Sequence, residues 1–280
     1  TVARTAVLQP VSEKKEAMSK FEMITVDCKD HITHITLNRP AVLNAINPEM
    51  HAELQNSFDE FAGDDEQWIC IIKGAGERAF SAGSDLKAIA KAGSKRQPYP
   101  KNGYAGLIER FDLDKPLIAA VDGVAVGGGF EIALACDLII ATTRSKFGLP
   151  EPLIGAVALG GGVHRLARQI GLKQAMGLVL SGESVDAHRA YELGILTELV
   201  EPDALESSVD RWCKKILRCA PLAVRASKEA MMKGLDEPSL ASAMKAQESY
   251  PTFARMQKSH DRKEGPSAFS EKRQPNWTGT

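Results

Sequence analysis

The stretch Leu117–Leu153, LIAAVDGVAVGGGFEIALACDLIIATTRSKFGLPEPL, constrains the fold more than any other part of the chain. It reads as a buried strand, a glycine loop, a buried helix, a second strand and a short polar turn. Gly127-Gly128-Gly129 stands directly before the apolar run Phe130–Cys136, which places the glycines at a helix N-terminus. The first N–H groups of a helix have no intrahelical acceptor and together carry about half a positive charge. Glycine lets a ligand oxygen come close to them. Two glutamates sit where apolar or small residues would be easier to bury, Glu131 in the first helical turn and Glu151 between Pro150 and Pro152. A donor-rich helix end with carboxylates beside it can polarise a carbonyl and move a proton. Taken singly, each acid also has a simpler reading, Glu131 complementing the helix dipole and Glu151 solvated in a loop.

Composition narrows the classes. With 280 residues the chain can bury a full core, as one domain or one with an appendage. A formal net charge of −1 gives no reason to expect nucleic acid or an anionic membrane as partner. The five cysteines form no CxxC pair and read as reduced core thiols, and the histidines have no metal-ligand spacing, so neither a disulfide frame nor a metal site is expected. The longest apolar runs are interrupted by Asp122, Glu131 and Asp137, short of a membrane span. Residues 1–19 read as a loose extension without a secretory or transit pattern, with Met18 as an alternative start, and a soluble, cytoplasmic protein is expected.

In chain order, Phe21–Asp27 and Ile32–Leu37 predict a hairpin, and Asn47-Pro48 predicts the cap and first residue of a helix. Trp68–Ile72 is a buried strand. The glycines after it superficially resemble a dinucleotide fingerprint, but Phe80–Asp85 breaks the helix that should follow directly. Ser84-Asp85-Leu86 opens another helix, residues 93–103 read as a loop, and Leu107–Phe111 as a short helix. Helices are expected over Val163–Ile170, Ala175–Leu180 and Val185–Leu193, and a last strand over Ile195–Val200. Beyond residue 203 the pattern is helical, at 203–218, 221–234 and 237–257. The alternation predicts an α/β core over residues 20–202 and a C-terminal helical subdomain over 203–280.

Five motifs resemble the crotonase (enoyl-CoA hydratase/isomerase) superfamily in its order and spacing: NRPAVLNA (38–45), ERAFSAGSDL (77–86), KPLIAAVDGVAVGGGFEIALACD (115–137), FGLPEPLIG (147–155) and DRKEGPSAFSEKR (261–273). The resemblance implies a ββα spiral core, C-terminal helices that pack in trimers often paired into hexamers, and an acyl-CoA substrate. No cofactor is implied, coenzyme A being part of the substrate. It places an oxyanion hole on the N–H groups of Ser84 and Gly128, and the hydratase acids on Glu131 and Glu151. Simple isomerases of the superfamily usually keep only the second acid. The implied roles are Glu131 activating water and Glu151 exchanging the α-proton. Ala82, Leu86, Leu159 and Lys272 are the substrate-binding candidates. Leu159 stands where glycine is usual, its side chain expected to narrow the acyl pocket and its N–H to remain available. Lys272 matches a lysine that reaches the CoA phosphates.

The reading that follows is an enoyl-CoA hydratase, a lyase. The rivals are another reaction of the superfamily, carnitinyl-CoA-type dehydration or enoyl-CoA isomerisation, and a non-catalytic RNA-binding or scaffolding relative. The ending GPSAFSEKRQPNW is more similar to carnitinyl-CoA dehydratase relatives.

Overall fold

A computed structural model of the protein describes residues 21–93 and 98–280. The extension expected over 1–19 lies outside them, as do residues 94–97 of the expected loop. The hairpin forms as β1 (Ile24–Lys29) and β2 (Ile32–Leu37), turning through Asp30 and His31 at positive φ. In α1 (Pro48–Gly63) the Asn47 side chain accepts from the Met50 N–H at 3.0 Å, and Pro48 sits where no N–H is needed. Met50, Leu54, Phe58 and Phe61 face inward from it at helical spacing.

Three strand–strand units follow, each leading towards a helix. β3 (Ile69–Gly74) and β4 (Ala79–Ser81) lead to α2 (Leu86–Ala92). β5 (Leu117–Val121) and β6 (Val124–Val126) lead to α3 (Gly128–Ala135). β7 (Leu138–Thr142) and β8 (Lys146–Gly148) lead, through a 3-10 turn at Glu151–Ile154, to α4 (Gly162–Ile170). Next come α5 (Leu172–Ser181), β9 (Ser184–Asp186), α6 (Ala187–Glu192) and β10 (Glu198–Val200). The helical end comprises α7 (Leu205–Leu217), α8 (Pro221–Gly234), α9 (Leu240–Ala246), α10 (Pro251–Lys258) and α11 (Asp261–Ser270).

The first strand of each unit joins a six-stranded sheet, order β1-β2-β3-β5-β7-β10, parallel except at the hairpin. The second joins a four-stranded sheet, order β4-β6-β8-β9, in which only β9 is antiparallel. This is the ββα spiral that the motifs implied. Alternation divides the faces of the larger sheet. Cys70, Ile72, Leu117, Ala119 and Val121 enter the main core with α1. Ile69, Ile71, Ile118, Ala120 and Ile140 pack on Leu205, Val209 and Cys213 of α7.

Four local expectations change. No helix forms over Leu107–Phe111: a 3-10 turn at Tyr104–Gly106 precedes it, and Leu107 and Ile108 are buried from turns while Phe111 is exposed. Ser184–Asp186 pairs with β8, so the helix expected from Val185 begins at Ala187, capped by Asp186 accepting from the Arg189 N–H. The segment 237–257 is split, because Pro251 cannot continue a helix and instead begins α10. Of the cysteines, Cys70, Cys136 and Cys213 are buried thiols, but Cys28 and Cys219 are exposed. Among the described residues no helix is long and apolar enough to cross a membrane.

Candidate active site

The NRPAVLNA motif builds the first wall. Buried Asn44 donates to Ala75 O at 3.0 Å and Ala79 O at 2.8 Å, tying the turn to the β3–β4 connection. Arg39 pairs with Asp85 at 3.0 Å, and Asp85 caps α2 by accepting from the Ala88 N–H. Ser84 is thereby held beside Ile46, whose N–H donates to Gly83 O while the Asp85 N–H donates to Ile46 O. That pairing leaves the Ser84 N–H on the opposite edge, and no described residue accepts from it. Gly128 begins α3, where an N–H has no intrahelical acceptor. The two loops nearly touch: Gly83 has φ +81, and a Cβ there would lie 2.8 Å from Gly128 N.

Glu131 is 3% exposed on α3, and its Oε1 accepts from the Gly162 N–H at 2.9 Å, at the start of α4. Burial, and next the charge of Glu151, push its carboxyl up to about 7 against the hydrogen bonds from Gly162 and Gly160. Glu151 opens the 3-10 turn after β8, and burial raises its carboxyl too. Its Oε2 is buried without a hydrogen-bond partner among the described residues. Its Oε1 lies 3.0 Å from where a Cβ on Gly127 would be. Ser84, Gly128, Glu131 and Glu151 therefore converge on the N-terminal end of α3.

Gly160 controls how Glu131 sits, since a Cβ there would lie 2.2 Å from Glu131 Oε2. Gly160→Ala should displace that carboxyl and lower kcat about 10²-fold, as a misplacement of this size does. Steady-state kinetics decide it, and an unchanged kcat in the folded variant would show that the carboxyl position is immaterial.

The other candidates differ in their distance from this cluster. Ala82 adjoins Ser84, its N–H donating to Leu43 O, and Leu86 is exposed on the first turn of α2. Leu159 departs from its expectation in its N–H, which donates to Val157 O at 2.9 Å, and its side chain is 78% exposed. The local turn uses the amide and points the side chain outward. Lys272 is exposed beyond α11, and no contact among the described residues joins it to Ser84 or the glutamates. His164 is exposed, and Asp122 is a structural acceptor for Thr142 and Arg144.

Sequence reasoning missed Tyr104. Its hydroxyl accepts from Ser84 Oγ at 3.3 Å, and a Cβ on Gly128 would lie 2.3 Å from it. The signal was the glycine-flanked GYAG at 103–106, where a buried tyrosine between turn residues has to be held by something.

The family model described as enoyl-CoA hydratase/isomerase matches residues 27–280. The chain is 36% identical over 257 residues to (E)-benzylidenesuccinyl-CoA hydratase of Thauera aromatica, covering 91% of this chain and 99% of that protein. It is 40% identical over 253 residues to carnitinyl-CoA dehydratase of Citrobacter koseri, covering 89% and 95%. Among solved structures, enoyl-CoA hydratase from Mycobacterium tuberculosis H37Rv superposes with a TM-score of 0.84 at 39% identity, over 92% of this chain and 99% of that one. With the spiral fold and the motifs, these matches show that the chain belongs to the enoyl-CoA hydratase/isomerase family, on its hydratase and dehydratase side, and is a lyase.

Proposed function

We propose that the protein adds water reversibly across the 2,3 double bond of an acyl-CoA thioester. The observation that carries this reading is a pair of acids, Glu131 buried and Glu151 half-buried, with raised affinity for protons, set beside two backbone N–H groups for which the described residues supply no acceptor. The thioester oxygen would sit between the N–H groups of Ser84 and Gly128. It gains negative charge as the acyl group becomes enolate-like, so two fixed donors stabilise the transition state most. Glu131 takes a proton from the water that attacks the β-carbon, and Glu151 delivers one to the α-carbon. Hydration needs one acceptor and one donor, and burial and mutual repulsion favour a pair that holds one proton near neutral pH. Dehydration retraces the same path, and similarity to carnitinyl-CoA dehydratases supports it as the second reading, on a 3-hydroxyacyl thioester. The purified protein should bleach the conjugated thioester absorbance of trans-2-butenoyl-CoA and restore it from the 3-hydroxy product. No change in either direction across a panel of chain lengths would sink the reading.

The proposal includes a trimer or hexamer. Leu222 is buried within the chain and Ile216 and Leu217 pack on the α7 cluster, so those residues need no partner. Met231, Met232, Leu235, Leu240 and Met244 remain exposed on α8, its C-terminal end and α9. A patch of this kind favours a closed interface between copies. Such an assembly would let Lys272 of one copy approach the CoA of another. Light scattering should give three or six times the chain mass of 30.3 kDa, and a monodisperse, active monomer would refute it.

A further inference from the structure

We propose that Tyr104 is a specificity-determining partition: its ring separates the two glutamates from a chamber between α1 and α2, so that only a short acyl group meets the acids. This rests on the acyl-CoA reading above and specifies its substrate class. The chamber has a volume of about 370 Å³, and Ile46, His51, Gln55, Ser84, Ile89 and Tyr99 are among its walls. That is room for far more than a few carbons. Tyr104 is 2% exposed and touches three of those walls. It meets Ser84 through its hydroxyl, His51 edge-on at 4.6 Å between ring centroids, and Tyr99 edge-on at 5.5 Å. Its hydroxyl end also abuts the start of α3, the helix that carries Glu131. A Cβ on Gly128 would lie 2.3 Å from its Cζ, and burial, then the charges of Tyr99, Glu131 and Glu151, raise its hydroxyl.

The ring is held in place and is no loose flap. Gly103, Ala105 and Gly106 all have positive φ, a backbone path with few alternatives. The Ala105 N–H donates to His51 Nδ1 at 2.9 Å. Asn102 and Gln55 exchange two hydrogen bonds, at 2.9 and 3.0 Å. Gly106 lies so near α1 that a Cβ would come within 2.5 Å of Gln55 Cα. Removing the ring would join the chamber to the acids without disturbing these ties.

The test compares wild type, Tyr104→Ala and Tyr104→Phe. It reads kcat/KM on trans-2-butenoyl-CoA and trans-2-decenoyl-CoA, and calorimetric affinity for butyryl-CoA and decanoyl-CoA, which cannot be hydrated. Tyr104→Ala should move both long-to-short ratios towards the long chain by at least about tenfold, since several methylenes gain burial. Tyr104→Phe keeps the ring and should keep the wild-type ratios. Unchanged ratios in Tyr104→Ala that is folded by circular dichroism would overturn the partition, as would an equal shift in Tyr104→Phe. If Tyr104→Ala does not fold, Tyr104→Leu is read by the same ratios. A wild type that binds butyryl-CoA over decanoyl-CoA but hydrates nothing would defeat the hydratase reading and leave the partition standing. A wild type that hydrates trans-2-butenoyl-CoA yet binds both saturated thioesters equally would do the reverse.

Discussion

Glu131→Gln should abolish most turnover and at the same time make the protein harder to unfold at alkaline pH. On the proposed mechanism the lost base should cost about 10² to 10⁴ in kcat, while thioester binding, proposed to rest on backbone donors, should change little. The stability effect follows from where the carboxyl titrates. Its usual value is 4.5, and in the folded protein burial followed by the Glu151 charge lifts it to about 7. Between those values the native state binds more protons than the unfolded chain, so its stability falls as pH rises. This contribution is complete below about 4.5 and is lost as pH climbs through 7, a change on the order of 3 kcal/mol. Glutamine does not titrate, so the advantage of the variant over wild type should widen by that amount between pH 4.5 and 8. Urea unfolding at both pH values, at one protein concentration, measures it. A constant difference would mean that Glu131 is not the strained acid inferred from its burial. In the wild type, kcat/KM for hydration should fall as pH drops below about 7, because a protonated Glu131 cannot accept from water.

Glu151→Gln should also cost about 10² to 10⁴ in kcat, and should leave a second mark on what activity remains. Glu151 raises the Glu131 carboxyl through like-charge repulsion, so neutralising it lets Glu131 ionise more readily. The acidic limb of the residual pH–rate profile should therefore move to lower pH. The double variant should lose far less than the product of the single losses, since the two carboxyls work on one proton inventory. Near-wild-type turnover in Glu151→Gln, or a pH limb that stays put while the losses multiply, would dissolve the pair.

Much of this architecture was legible because it rests on signals within one segment. Asn47-Pro48 announces α1, the β-branched runs announce β1, β2 and β3, and both acids lie on motif positions that converge in space. What was hidden depends on lateral partners. β4, β6 and β8 have three residues each, too few for a period of two to register, and exist because they pair with one another. α11 contains Gly265 and Pro266, poor helix residues, and was not foreseen. It is secured from afar, Asp261 accepting from the Thr278 and Gly279 N–H groups and Glu264 pairing with Arg273. Tyr104 escaped for a similar reason, since apart from Tyr99 its neighbours come from α1, the Ser84 loop and α3, all remote in sequence.

The smaller sheet works as a ruler. β4, β6 and β8 are parallel neighbours, and just past their C-terminal ends come Ser84, Gly128 and Glu151 in turn. Adjacent strands stand about 4.8 Å apart, so three consecutive exits span roughly 10 Å. That interval leaves room for a carbonyl oxygen held between the first two marks and, with a contact of about 3 Å on either side, for the neighbouring acyl carbons before the third. Spacing in the site is thus inherited from backbone pairing, which no single side-chain replacement alters. On the proposed mechanism an exchange at the third mark should change how protons travel while the grip on the carbonyl at the first two stays in register.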